Sequence, residues 1–119
     1  MKKTKMLKKN YEFRNVLSKG KYYSGRYIEA FISKNKTKNT NHNLLGIAIS
    51  VKIAKATKRN HIKRLIRENY KEYETKIKNG YSIVFLWKKK VDVENANFDN
   101  INKDMNKIFN KAELFIEEN

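Results

Sequence analysis

The chain has no cysteine, no proline and only four glycines in 119 residues. Lacking cysteine, it has no disulfide framework and no thiolate metal site, which fits a reducing compartment; the expected location is cytoplasmic. Lacking a Pro- or Gly-rich stretch, it has no linker, and residues 1–119 read as a single domain. No apolar run reaches the length of a secretory core or a membrane span, and Lys8-Lys9 interrupts the basic start almost at once, so no membrane association is expected. The two histidines, His42 in a polar loop and His61 in a basic stretch, have no Ser or carboxylate spaced to complete a triad. Two isolated histidines do not make a metal site, and there is neither a phosphate-cradling glycine loop nor a dinucleotide fingerprint. No catalytic side chain and no metal ligand is expected on the chain itself.

Acids are scarce as well, and unevenly so. Against 28 Lys and Arg there are 12 Asp and Glu, a formal net charge of +16, far beyond what solubility requires. Residues 1–38 hold twelve cations and two acids, residues 39–70 seven and one, and residues 71–119 nine of each. All of the excess lies in the first 70 residues, which predicts a basic face and a neutral back, and a polyanionic partner.

The densest basic stretch is Lys58-Arg59-Asn60-His61-Ile62-Lys63-Arg64-Leu65-Ile66-Arg67-Glu68. At helical spacing Ile62, Leu65, Ile66, Asn69, Tyr70, Tyr73 and Ile77 form one arc, predicting a helix that runs to about Lys78, with Gly80 beyond its end. Arg59, Asn60, Lys63, Arg64, Arg67 and Lys71 form the opposite arc. A face that serves only solubility mixes signs, whereas Glu68 is the single acid between Lys58 and Lys71. The cations also crowd the N-terminal half, where the helix dipole disfavours them; a bound polyanion would reverse that sign.

Around this helix the chain reads as follows. Met1 to Met6 is a basic arm expected to be flexible. Asn10 is a candidate N-cap, with Glu12 in the first turn, Phe13, Val16 and Leu17 at i, i+3, i+4, and Gly20 as the stop. Arg26 to Ser33 alternates as a strand, with Tyr27, Glu29, Phe31 and Ser33 on one face and Ile28, Ala30 and Ile32 on the other. Lys34 to Asn43 reads as a polar hairpin loop. In Leu44 to Val51, Leu45, Ile47, Ile49 and Val51 are bulky while Gly46, Ala48 and Ser50 carry almost nothing, so something must approach that second face closely. Thr57 is a candidate N-cap for the basic helix. Tyr81 to Trp87 is an interior strand stopped by Lys88-Lys89-Lys90, and Asn97 to about Phe115 forms a scaffold helix. The fold class is α+β: a two-layer sandwich, with about three helices on a small mixed sheet of about four strands.

Arg59-Asn60-His61-Ile62-Lys63-Arg64-Leu65-Ile66-Arg67-Glu68 resembles the signature helix of the bacterial ribonuclease P protein component, whose pattern is R-N-R-x-K-R-x-x-R-E. Gly46 to Ile53 is similar to that family's G-L-x-V-S-K-K-I strand and loop at the same distance upstream. Leu7-Lys8-Lys9-Asn10, Phe13, Gly20 and Arg26 match its opening pattern, so the likeness spans about residues 7–87. The chain departs from the pattern at Leu17, where Phe is common, at Ala54 for Gly, at His61 for Arg and at Trp87 for Arg.

The resemblance implies a subunit of an endoribonuclease in which a catalytic RNA, with Mg²⁺ held mainly through RNA, removes the 5′ leader from precursor tRNA. It implies a left-handed crossover through the signature helix between parallel strands, and a monomeric protein, one per catalytic RNA, inactive alone and binding no cofactor of its own. Lys52, Lys55, Arg59, Asn60, His61, Lys63, Arg64 and Arg67 would face the catalytic RNA. Lys8, Lys9, Phe13, Leu17, Tyr27 and Phe31 would line a cleft for the single-stranded leader. From charge and size alone, a small ribosomal-type structural RNA binder fits equally well. A helix-turn-helix DNA binder fits poorly with strands on both sides of the basic helix, and a metal-dependent nuclease lacks a carboxylate cluster.

Overall fold

The computed structural model describes residues 3–35 and 41–117. In chain order these form β1 (Thr4–Met6), α1 (Asn10–Lys19), β2 (Lys21–Ser24), β3 (Ile28–Lys34), β4 (Asn43–Ala48), α2 (Ala56–Tyr73), β5 (Tyr81–Trp87) and α3 (Phe98–Lys111), with a 3-10 turn at Val93–Asn95. The sheet order is β1-β4-β5-β3-β2. β1 and β5 flank β4 in parallel, while β3 pairs antiparallel with β5 and with β2. The α2 crossover joins the parallel neighbours β4 and β5, as the signature helix was expected to do.

The expected α+β sandwich is present, with five strands rather than about four. β2 escaped the pattern reading because Lys21-Tyr22-Tyr23-Ser24 is short and does not alternate. β1 was read as part of a flexible arm, yet Thr4 is buried and shares a 2.7 Å hydrogen bond with the Tyr70 hydroxyl of α2. Burial pushes that phenol pKa up, so it bonds as a neutral group. Met1, Lys2 and residues 36–40, the middle of the expected loop, lie outside the described residues.

Two layers pack against the sheet. On one face Ile28, Ala30, Ile32, Leu45, Ile47, Ile83, Phe85 and Trp87 meet the apolar stripes of α2 and α3. Every member of the α2 arc named from its spacing is buried, including Ile77 beyond the helix end. Each such aliphatic side chain contributes about 1.5–3 kcal/mol of burial free energy. Polar tips then fix the register. The fully buried Asn69 amide donates to Leu65 O at 3.0 Å and to Phe98 O at 3.3 Å, and the Tyr73 hydroxyl donates to Asn102 Oδ1 at 3.1 Å, tying α2 to α3. Asn43 closes the approach to β5, donating to Lys78 O at 3.0 Å and accepting from Tyr81 N at 2.9 Å.

Several boundaries move. α2 begins at Ala56, so Thr57 lies inside its first turn, and the capping position is Lys55, which makes no side-chain capping bond. The helix ends at Tyr73 rather than near Lys78; Ile77 instead bridges to Phe115, and Gly80 takes a φ of 92° in the turn before β5. β4 ends at Ala48, leaving Val51 in a turn and 73% exposed rather than on the bulky face. α1 begins at Asn10 with Lys9 as its cap, and Glu12 Oε1 accepts from the Lys9 N–H at 3.2 Å.

α3, expected from Asn97 to about Phe115, begins at Phe98, with Asn97 as its cap accepting from Asn100 N through Oδ1 at 2.8 Å, and ends at Lys111. It also carries an acid whose task the sequence did not reveal. Asp104, 4% exposed, accepts from the backbone N–H groups of Arg26 at 2.9 Å, Tyr27 at 2.6 Å and Ile28 at 2.9 Å. Gly25 has no side chain for the same reason: a Cβ there would lie 2.5 Å from the carboxyl carbon. One carboxylate thus anchors the β2–β3 turn to the last helix. Asp104→Ala would leave three donors without partners at a cost of roughly 2–4 kcal/mol. The urea unfolding midpoint is expected to fall accordingly, and a midpoint unchanged within error would deny the anchor.

Candidate nucleic-acid interface

Burying one stripe of α2 turns its opposite side to solvent. Asn60, His61, Arg64 and Arg67 are exposed there, with Arg59 and Lys63 half-buried beside them and Lys52 and Lys55 exposed on the preceding loop and cap. All eight residues expected to face the catalytic RNA therefore gather on the N-terminal half of α2 and its approach. Among the described residues a single salt bridge forms, Arg64 Nε to Glu68 Oε1 at 3.2 Å, and it is exposed. Such a pair contributes at most about 1 kcal/mol. The first turn of α2 contains no acid, so neither the amide groups there nor the surrounding cations are neutralised from within.

Arg59 has an internal task as well. Its Nη1 donates to Ala54 O at 2.7 Å and holds the β4–α2 loop against the helix. Lys89 and Lys90, from the otherwise neutral C-terminal part, line a hollow of about 560 Å³ together with Ser50, Lys52 and Ile53 of that loop. Summing charge along the chain hid this meeting, because the topology places the end of β5 beside the end of β4.

The second group of expected residues lies on the other face of the sheet, around α1. One row of paired residues crosses that face: Tyr22 on β2, Phe31 on β3, Val84 on β5 and Gly46 on β4. Gly46 is where something was expected to approach closely, and Phe13 does so: a Cβ on Gly46 would lie 2.6 Å from its ring. Phe13, Leu17 and Phe31 join Leu44 and Leu86 around the buried Leu7, Val16 and Val84, leaving half-buried surface beside the helix. Lys8 and Lys9 stand exposed where the chain enters α1. Five of the six residues expected to line the cleft are thus brought together.

Tyr27 is the exception. It precedes β3, packs with the core on the α2/α3 side, and stacks on Trp87 with ring centroids 6.2 Å apart and the Arg26 guanidinium 5.5 Å from its ring. Trp87 itself is buried, and its indole N–H donates to Val91 O at 2.9 Å. The alternation drawn from Arg26 to Ser33 was extended two residues too far, since regular pairing begins at Ile28.

The aromatic that the sequence reading missed is Tyr22. Its ring lies 5.2 Å from Phe31, it is 48% exposed, and its hydroxyl donates to Glu29 Oε2 at 2.6 Å. That hydrogen bond raises the phenol pKa, so the ring stays neutral at physiological pH. Gly20 and Gly25, bracketing four residues, were the available sign of a strand there.

Compared with known proteins, residues 1–113 match the family model described as Ribonuclease P. The "Ribonuclease P protein component" of Clostridioides difficile is 36% identical over 115 residues, covering 96% of each chain. That of Fusobacterium nucleatum is 37% identical over 110 residues, covering 91% of this chain and 96% of its own. Among solved structures, the RNase P protein of Staphylococcus aureus superposes with a TM-score of 0.79 at 28% identity, covering 93% of this chain and 97% of its own. That of Thermotoga maritima gives 0.76 at 26%, covering 96% and 99%.

The Phe13–Gly46 contact makes a direct test of the cleft geometry. Gly46→Ala pushes the ring and its helix outward at a cost of about 1–3 kcal/mol. Adding Phe13→Leu is expected to recover much of the loss, giving a coupling energy in a double-mutant cycle of unfolding midpoints. Additive effects would mean that the two residues do not meet.

Proposed function

Because the chain belongs to the ribonuclease P protein family, and so is the protein component of a tRNA-processing ribonucleoprotein, we propose that it grips two RNAs with two separate surfaces. The α2 ridge, with Lys52 and Lys55, holds the catalytic RNA. The cleft of Phe13, Leu17, Tyr22 and Phe31, entered past Lys8 and Lys9, holds the single-stranded 5′ leader of precursor tRNA. The observation that carries this reading is the division of labour between the faces. One surface offers cations of which only Arg64 is salt-bridged among the described residues, and the other offers aromatic surface.

Each suits a different form of RNA. Structured RNA is recognised through backbone and shape, for which a rigid row of guanidinium, ammonium and amide groups is apt. Unpaired bases stack on aromatic rings, each stack contributing roughly 1–3 kcal/mol. Bond cleavage falls to the RNA in this reading. Mg²⁺ is assigned to RNA phosphates, because the protein surfaces involved carry cations; among the described residues no group of three or more His, Cys, Asp or Glu is placed to hold a metal ion. One protein per catalytic RNA, acting in the cytoplasm as one folded domain, completes the proposal. No helix among the described residues is long and apolar enough to cross a membrane.

Precursor-tRNA cleavage at low Mg²⁺ by a bacterial catalytic RNA tests it. The protein is expected to stimulate cleavage only when that RNA is present. Asn60→Ala/Arg67→Ala is a cleaner probe than an Arg59 variant, which also loses the Ala54 contact, and should abolish most of the stimulation. Stimulation that survives this variant, or tight binding to ribosomal RNA without stimulation, would move the chain to a structural RNA-binding role. With about six phosphates neutralised, affinity for the catalytic RNA should fall roughly 10³-fold between 50 and 200 mM salt. Phe31→Ala should weaken binding only of precursors that carry a leader; equal weakening with and without a leader would return Phe31 to the core.

A further inference from the structure

α1 divides its face of the sheet into two grooves, and the cleft accounts for one. Phe13 and Leu17 flank that cleft. Tyr11, Asn15 and Lys19 point to the other side of the helix, where a second groove encloses about 310 Å³. Its floor is apolar, built from Leu7, Val16 and Leu44. Along the floor runs the sheet row next to that of Phe31: Ser33 pairs with Ser82, and Ser82 with Leu44. Neither serine hydroxyl hydrogen-bonds to another described residue. Lys19 and Lys34 stand exposed at the rim, and Tyr11, 65% exposed, flanks one mouth. Glu12 also borders the groove, but its carboxylate is engaged by the Lys9 N–H at 3.2 Å.

We propose that this second groove takes one unstacked nucleotide of RNA. The inference rests on the reading that the chain binds unpaired RNA, and extends it to a site on the opposite side of α1. A base needs an apolar slot with donors and acceptors at its edge, and the Leu7/Leu44 floor with Ser33, Ser82 and the Asn15 amide supplies both. The adjoining phosphates need cations on the rim, where Lys19 and Lys34 stand without a carboxylate partner. The exposed Tyr11 ring offers a stacking surface. A duplex is too wide to enter such a slot. The nucleotide comes either from the precursor leader or from a looped-out position of the catalytic RNA.

Two variants, Asn15→Leu/Ser33→Val and Lys19→Gln/Lys34→Gln, separate these sources; the second changes only exposed charge and preserves the fold. Affinity is measured for the catalytic RNA alone, and for precursors with leaders of one, five and ten nucleotides in the assembled complex. A loss of about tenfold, the size of one or two lost hydrogen bonds or phosphate contacts, is expected in one of the two series. Loss toward the catalytic RNA alone assigns the nucleotide to that RNA; loss that appears only with longer leaders assigns it to the leader. No loss in either series, while Phe31→Ala and Asn60→Ala/Arg67→Ala weaken binding in the same assays, would overturn the second site and leave the two-surface reading intact. No effect from any of the four variants would overturn both.

Discussion

The rotation of α2 about its own axis is the constraint on which the molecule depends. One stripe, Ile62, Leu65, Ile66, Asn69, Tyr70 and Tyr73, must be buried against the sheet and α3, and a helix has only one rotation that buries it. Polar tips make that rotation unforgiving. The Asn69 amide N–H reaches Phe98 O of α3, and the Tyr70 hydroxyl reaches Thr4 of β1, only at that rotation. A turn of the helix by one residue would strand buried polar groups as well as expose Ile62 and Ile66. The cationic ridge inherits its direction from this packing, so a surface that contributes little to folding is held as firmly as the core.

The few acids follow a complementary logic. Glu12 caps α1, Glu29 accepts from Tyr22 and Asp104 gathers three backbone N–H groups, while among the described residues only Glu68 forms a salt bridge. A carboxylate satisfied by backbone or phenol donors needs no Lys or Arg. Giving Glu12, Glu29 and Asp104 internal tasks leaves the cations of the basic half, Arg64 apart, without a carboxylate partner among the described residues. Self-repulsion among them opposes folding, and a polyanion relieves it. Stability and partner binding are thus coupled through charge, without any moving part.

What was legible in the sequence depended on how local its cause was. The α2 stripe, β5 and the start of α3 are set by spacing and caps within one element, and they were read almost to the residue. The small-residue face of β4 announced a close neighbour, although it did not name Phe13, which arrives from 33 positions upstream. β1 and β2 are too short to show a period and exist because partners are waiting for them. Asp104 looked like one more surface acid on a balanced helix; its role arises from a turn 76 to 78 residues away. Tyr27 and Tyr22 exchanged roles for the same reason, since which face a side chain takes is decided by where pairing starts. The signature helix gave the family from ten consecutive residues, whereas the cleft required three elements to be assembled.

α1 links these surfaces. Val16 and Leu7 fix it to Val84 through a small core of its own, separate from the main one. Because Gly46 has no Cβ, the Phe13 ring of α1 rests directly on the β4 backbone, and the two flanks of the helix become the walls of two shallow grooves. Raising the helix by one methyl group would widen the aromatic cleft and lift Tyr11, Asn15 and Lys19 from the serine row together. A single glycine therefore helps to set the depth of both grooves, through how closely the Phe13 ring can approach the β4 backbone.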